Sequence, residues 1–113
     1  MAGVRLPNPE RAVADIAKLR DYCLNQAHPR GRHKARVFAS ALGITFENAG
    51  ELRRALLEAV GREAAARGVA DEYGQRYMVD FEMRGPGGTA RVRGIWIVLA
   101  GENFPRLITC YVL

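Results

Sequence analysis

Nine residues, His28-Pro29-Arg30-Gly31-Arg32-His33-Lys34-Ala35-Arg36, gather both histidines of the chain with four arginine or lysine side chains. Imidazole exchanges protons near neutral pH, and clustered cations attract phosphate. Together they suit acid–base work on a phosphate group. Pro29 and Gly31 break the chain just ahead of a helical run, so His28 is expected in a loop at a helix N-terminus. Free N–H groups there favour an anion, which makes His28 the expected acid–base residue. On a helical wheel Phe38, Leu42 and Ala35 set the buried direction, and Lys34 falls beside Phe38 at the edge of the apolar arc. A lysine so placed either snorkels past the core or stands at the floor of a groove, where its charge is worth more. Arg30 and Arg36 add phosphate-binding charge. His33 projects outward and is expected to be solvated.

The C-terminal segment offers a second set. Ile108, Cys110 and Val112 alternate with Leu107, Thr109 and Tyr111, so the hydroxyl and the phenol are expected on the other face of a strand or at its rim. They would there address one phosphate or one base, unless they are strand formers only. Arg91 and Arg93 share a strand face and are candidate phosphate ligands or a solvated strand end. Trp96 is a candidate stacking platform for a base, as is Tyr73, although a tryptophan in an apolar run is more often core. Two histidines without paired carboxylates make a poor metal site, so no metal and no cofactor is expected. Cys23 and Cys110 lack the spacing of a zinc site or a disulfide framework and read as small buried hydrophobes. The chain carries no nucleophile elbow, P-loop or dinucleotide fingerprint. Gly85-Pro86-Gly87-Gly88 is glycine-rich but lies between strands.

Three helices and then strands must position these groups. Asp15 caps a short helix that turns Ile16, Leu19, Cys23 and Leu24 inward. A second helix runs from about Arg32 to Leu42, with Gly43 as its stop. A third, from about Ala49 to Arg67, buries Leu52, Leu56, Ala59, Val60 and Ala64 and ends at Gly68. The hydrophobic period then changes from 3.6 to 2. Tyr77, Val79, Phe81 and Met83 alternate with polar residues in a strand, and Gly85 to Gly88 turns a hairpin. Thr89 to Ala100 is nearly continuous apolar sequence after Gly94, the pattern of a central strand covered on both faces. Arg106 to Leu113 closes the sheet. The expected fold is α+β: N-terminal helices on one face of a C-terminal antiparallel meander of three strands, or four if the N-terminal segment joins.

At 113 residues, the chain is expected to be one domain. The net charge of +5 favours polyanions or an acidic protein as partner. No apolar run approaches the roughly 20 residues that span a bilayer, and Met1 to Pro7 lack a signal-peptide core, so a cytoplasmic protein without membrane contact is expected.

A set of residues spread over the chain carries a resemblance. Lys18-Leu19, Tyr22, Leu24, His28-Pro29, Gly31, Lys34-Ala35, Phe38 and Leu42-Gly43 come first. Gly74, Gly85-Pro86, Gly88, Trp96-Ile97-Val98, Pro105-Arg106-Leu107, Thr109 and Tyr111 follow. The pattern resembles an uncharacterised bacterial toxin-associated domain family, from about Leu6 to the end. Its helices-then-sheet layout is similar to the barnase–EndoU–colicin–RelE ribonuclease toxins. The resemblance implies a metal-independent ribonuclease that uses the 2′-hydroxyl of RNA as nucleophile, with a small acidic antitoxin or immunity protein as partner. It matches His28, Lys34, Thr109 and Tyr111 to the catalytic positions, with Arg30, Arg36, Arg91, Arg93 and Trp96 available to bind substrate. His33 lies outside the pattern, and relatives often carry a proline after the tyrosine where this chain has Val112. The rival reading is a non-catalytic basic module that binds nucleic acid or an acidic partner.

Overall fold

In the computed structural model, which describes residues 3–113, the Asp15 side chain accepts from the Ala17 amide at 2.9 Å and starts helix α1 (Ile16–Lys18). Met1 and Ala2, the start of the segment judged to lack a signal core, lie outside the described residues. The helix then widens into a π-helical segment, Leu19–Cys23, closed by the Leu24 amide on the Leu19 carbonyl at 2.9 Å. Leu19, Cys23 and Leu24 are buried, but Ile16, expected inward, is 38% exposed. The wider turn alters which side chains share a face.

Helix α2 spans Arg32–Leu42 and ends at Gly43, whose φ of 69° is the left-handed stop the sequence called for. Thr45 and Asn48 form a capping box through the short 3₁₀ turn Phe46–Asn48. It leads into helix α3, Ala49–Arg62. The third helix therefore ends five residues earlier than Arg67 (67 − 62). Ala65–Asp71 is instead strand β1, and Ala64 is exposed. Alanine is a strong helix former, but propensity is a weak constraint and strand pairing overrides it here.

Strands β2 (Gly74–Gly85), β3 (Gly88–Leu99) and β4 (Arg106–Val112) complete an antiparallel sheet in the order β1-β2-β3-β4. The fourth strand is thus β1. The N-terminal segment contributes only isolated bridges, Val4 to Ala65 and Val13 to Arg106. Phe38 and Leu42 of α2 and Leu52, Leu56 and Val60 of α3 pack with Val79, Phe81, Val92 and Trp96 in one core. The other face of the sheet bears Met78, Asp80, Arg91, Arg93 and Ile95, all exposed or half-buried. The central strand β3 is therefore covered by helices on one side only. Ile97 is nonetheless 7% exposed, in register between Arg76 and Arg106.

A bulge between β3 and β4 shifts the pairing from Ile95–Thr109 to Trp96–Leu107. The extra residue is Ile108. Leu107, at 6% exposure, takes the inward place expected of Ile108, which is half-buried. Among the described residues no helix is long and apolar enough to cross a membrane.

Candidate functional site

The N-terminal half of the chain runs along the outer edge of β4 and sets a succession of side chains against it. Val13 exchanges backbone hydrogen bonds with Pro105 and Leu107, each 2.9 Å. Lys18 Nζ lies 3.5 Å from the Leu107 carbonyl. Cys23 Sγ follows, 3.9 Å from Thr109 Oγ1. Lys34 Nζ then stands 4.9 Å from the centroid of the Tyr111 ring, within cation–π range. Two helical segments and one strand thus bring together Lys18, Lys34, Thr109 and Tyr111, which the sequence separates widely.

From Tyr111 the site continues across the sheet. Tyr111 on β4 pairs with Arg93 on β3, and Arg93 with Asp80 on β2. Arg93 donates from Nε and a terminal nitrogen to the two Asp80 oxygens, at 2.8 and 2.9 Å. Such a two-point bond fixes the plane of the guanidinium. Its pKa is pushed above the usual arginine range by Asp80 first and by Tyr111 second. In return the Arg93 hydrogen bonds hold the Asp80 carboxyl below its ordinary value, against the opposing effect of burial. Tyr111 is therefore bracketed by two cations: Lys34 at its ring and a clamped Arg93 beside it. Arg91 is exposed on the same face, and a shallow groove of about 380 Å³ lies there between Met78, Asp80, Arg91, Arg93 and residues 64–66.

His28 sits where the loop was expected, at the N-terminus of α2, but its engagement differs. Its Nδ1 accepts from the backbone amides of Arg30 and Gly31, both at 3.1 Å, and so closes the turn that leads into the helix. Its ring packs on Tyr22 at a centroid distance of 4.6 Å. With Nδ1 occupied, a neutral ring carries its proton on Nε2 and presents a donor rather than a base. Gly31 is required by the same cluster, because a Cβ there would meet the Tyr22 carbonyl and ring at 2.5–2.8 Å.

The remaining candidates scatter. Arg30, His33 and Arg36 are exposed, with Arg36 on the outward part of α2. Tyr73 is exposed in the β1–β2 turn, toward the Leu99 end of the sheet and away from Arg93. Trp96 corrects the expectation of a stacking platform. Its exposure is 0%, so its ring offers no face to a base. Its indole nitrogen has no hydrogen-bond partner and lies over the space left by Gly94. Sequence reasoning gave Asp80 no partner, named Tyr22 only within the resemblance, and missed the approach of Cys23 to β4 at Thr109. The first was legible in the hairpin register. The other two carried no local signal.

Residues 5–113 match the family described as "Domain of unknown function (DUF6883)". The chain belongs to that family. No curated protein matches the sequence. Among solved structures it is similar to a chain of a "Contact-dependent growth inhibition toxin - immunity protein complex from Klebsiella pneumoniae 342". The TM-score is 0.71 and the identity 19%, over 89% of this chain and 99% of that chain. At that identity the likeness speaks to the fold alone.

Proposed function

We propose that this chain is the toxic half of a toxin–immunity pair, a metal-independent ribonuclease acting by 2′-hydroxyl attack. The observation that carries the reading is the meeting of Lys34, Arg93 and Tyr111 at the β4 edge. The likeness to a toxin–immunity complex supports it. That complex holds a toxin and an immunity protein, and a net charge of +5, which suits a polyanionic target, favours the toxin's role for this chain. RNA is a polyanion, and an acidic immunity protein covering the same rim would both block it and cancel the attracting field.

Lys34 and Arg93 stabilise the negative charge that builds on the phosphorane as the 2′-oxygen attacks and releases its proton to water. Tyr111, held between them, donates a proton to the departing 5′-oxygen. Thr109 and the Nε2–H of His28 hold phosphate oxygens. Arg30, Arg36 and Arg91 guide the strand. His28 is a phosphate ligand in this scheme, because its Nδ1 is committed to the Arg30 and Gly31 amides. That commitment also favours the rival, a basic module that binds RNA without cutting it.

One experiment separates the two. The chain is expressed under tight control in bacteria, and the purified protein is then incubated with RNA. The ribonuclease arrests growth, cleaves in the presence of a chelator, leaves 2′,3′-cyclic phosphate ends and fails on a 2′-deoxy substitution at the cut site. Binding without cleavage establishes the module. Chelator-sensitive cleavage, or cleavage of DNA, refutes the mechanism.

A further inference from the structure

The candidate site leaves two nucleophiles unused. Cys23 ends the π-helical segment, and Cys110 lies on β4 opposite Gly94 of β3. Both are free thiols, 2% and 0% exposed. Both belong to the one buried core cluster. Cys23 Sγ is also 3.9 Å from the hydroxyl of Thr109, the residue before Cys110. The sequence holds these thiols 87 positions apart (110 − 23), and only the packing of the π-helical segment on the strand edge joins them.

We propose that Cys23 and Cys110 form an oxidisable dithiol, which a small disulfide such as oxidised glutathione converts to an intramolecular bond tying the π-helical segment to β4. Cys23, deprotonated, attacks one sulfur of the glutathione disulfide. A Cys23–glutathione mixed disulfide forms and one glutathione leaves as its thiolate. Cys110 gives up its proton, and its sulfur attacks Cys23 Sγ and expels the second glutathione. The two protein thiols are oxidised, and one glutathione disulfide is reduced to two thiols.

The surroundings divide these roles between the two sulfurs. Cys110 leads in lowering the Cys23 pKa to about 6; Thr109 and the charge of Lys18 act the same way against burial. Cys110, paired to Cys23 and enclosed, is raised well above the ordinary thiol value. Cys23 is therefore the attacking thiol and Cys110 the resolving one. The bond would sit one residue from Tyr111 and hold the strand that presents it. The chemistry does not depend on RNA cleavage. On the toxin reading, the bond would persist in oxidising surroundings and be lost in a reducing cytosol.

The test uses the full chain equilibrated in oxidised and reduced glutathione, then acid-quenched, alkylated under denaturing conditions and weighed intact. The expected product has no alkylatable thiol, a mass lower by two hydrogens, and one proteolytic fragment joining Cys23 to Cys110. The unfolding midpoint should rise by about 10 °C, and dithiothreitol should restore the reduced value. Cys110→Ser should stop at the Cys23 mixed disulfide, and Cys23→Ser should form no bond. A parallel sample in urea at the foot of the unfolding transition admits reagent to buried groups. Two persistent thiols in that sample, two glutathione adducts, or a bond between chains would each overturn the proposal. Because none of these readouts uses activity, its failure is separate from failure of the ribonuclease reading.

Discussion

Exchanging Gly31 for alanine should destabilise the protein and disturb the candidate site in one step. The backbone at Gly31 has φ −91° and ψ −11°, open to any residue, so conformational strain is not the cause. Space is. A Cβ would stand 2.5 Å from the Tyr22 carbonyl oxygen and 2.6 and 2.8 Å from two ring carbons of Tyr22. The carbonyl accepts the Asn25 amide at 3.3 Å, and the ring carries His28. Neither can retreat without loss. Overpacking of this kind costs about 1–3 kcal/mol. At about 2.1 cal/mol/K of unfolding entropy per residue, 113 residues give about 0.24 kcal/mol per degree, so the midpoint should fall by about 4–13 °C. Gly61 in α3 is the control, because nothing lies within 4 Å of its Cβ position. Gly61→Ala should gain helix propensity, up to about 1 kcal/mol, and raise the midpoint by up to about 4 °C. Far-UV circular dichroism melts read both shifts. RNA cleavage, measured well below either midpoint, should fall in Gly31→Ala alone. A wild-type midpoint and wild-type cleavage in Gly31→Ala would refute the claim that Tyr22, His28 and Gly31 act as one packed unit.

Three further outcomes follow from the same geometry. Tyr111→Phe and Lys34→Met should each lower cleavage by about 10²-fold or more while the melt stays within a few degrees, because each keeps its packing bulk; unchanged cleavage in either removes that residue from the chemistry. His28→Ala should lower the midpoint by about 4 °C through loss of the turn hydrogen bonds from the Arg30 and Gly31 amides, worth about 1 kcal/mol, and His28→Asn, which retains an acceptor, should recover most of it; equal melts for the two variants would deny that role in the turn. The Asp80 carboxyl is held below its ordinary 3.8 by Arg93, so it contributes stability above that pH and loses it as pH falls through the lowered value. The urea midpoint should therefore drop more steeply below about pH 4 in the native chain than in Asp80→Asn, and parallel curves would count against the pair.

The parts of this fold that were legible are those set by local chemistry. Helix α2 begins and ends where Gly31 and Gly43 said it would, because a glycine stop and a 3.6 period are properties of the segment itself. Strand β1 was hidden for the opposite reason. Ala64-Ala65-Ala66-Arg67 continues a good helix, and only pairing of Ala65 with Val79 on one side and Val4 on the other makes it strand. The candidate site divides in the same way. His28, Lys34, Thr109 and Tyr111 were visible by type and position, whereas the clamp on Arg93 belongs to strand register. Half of that register was nevertheless open to reading. A hairpin whose two-residue loop is Pro86-Gly87 pairs Gly85 with Gly88. Every further pair must then sum to the same number, 85 + 88 = 173, and Asp80 with Arg93 does. Opposite charges meet directly across the strands at that step. The second half was not open. The bulge at Ile108 breaks the equivalent sum between β3 and β4, so counting back from the Gly101–Pro105 turn would set Arg93 opposite the wrong residue. Only the fold shows that the clamped guanidinium faces Tyr111, and that Lys34 arrives there from the other side of the edge.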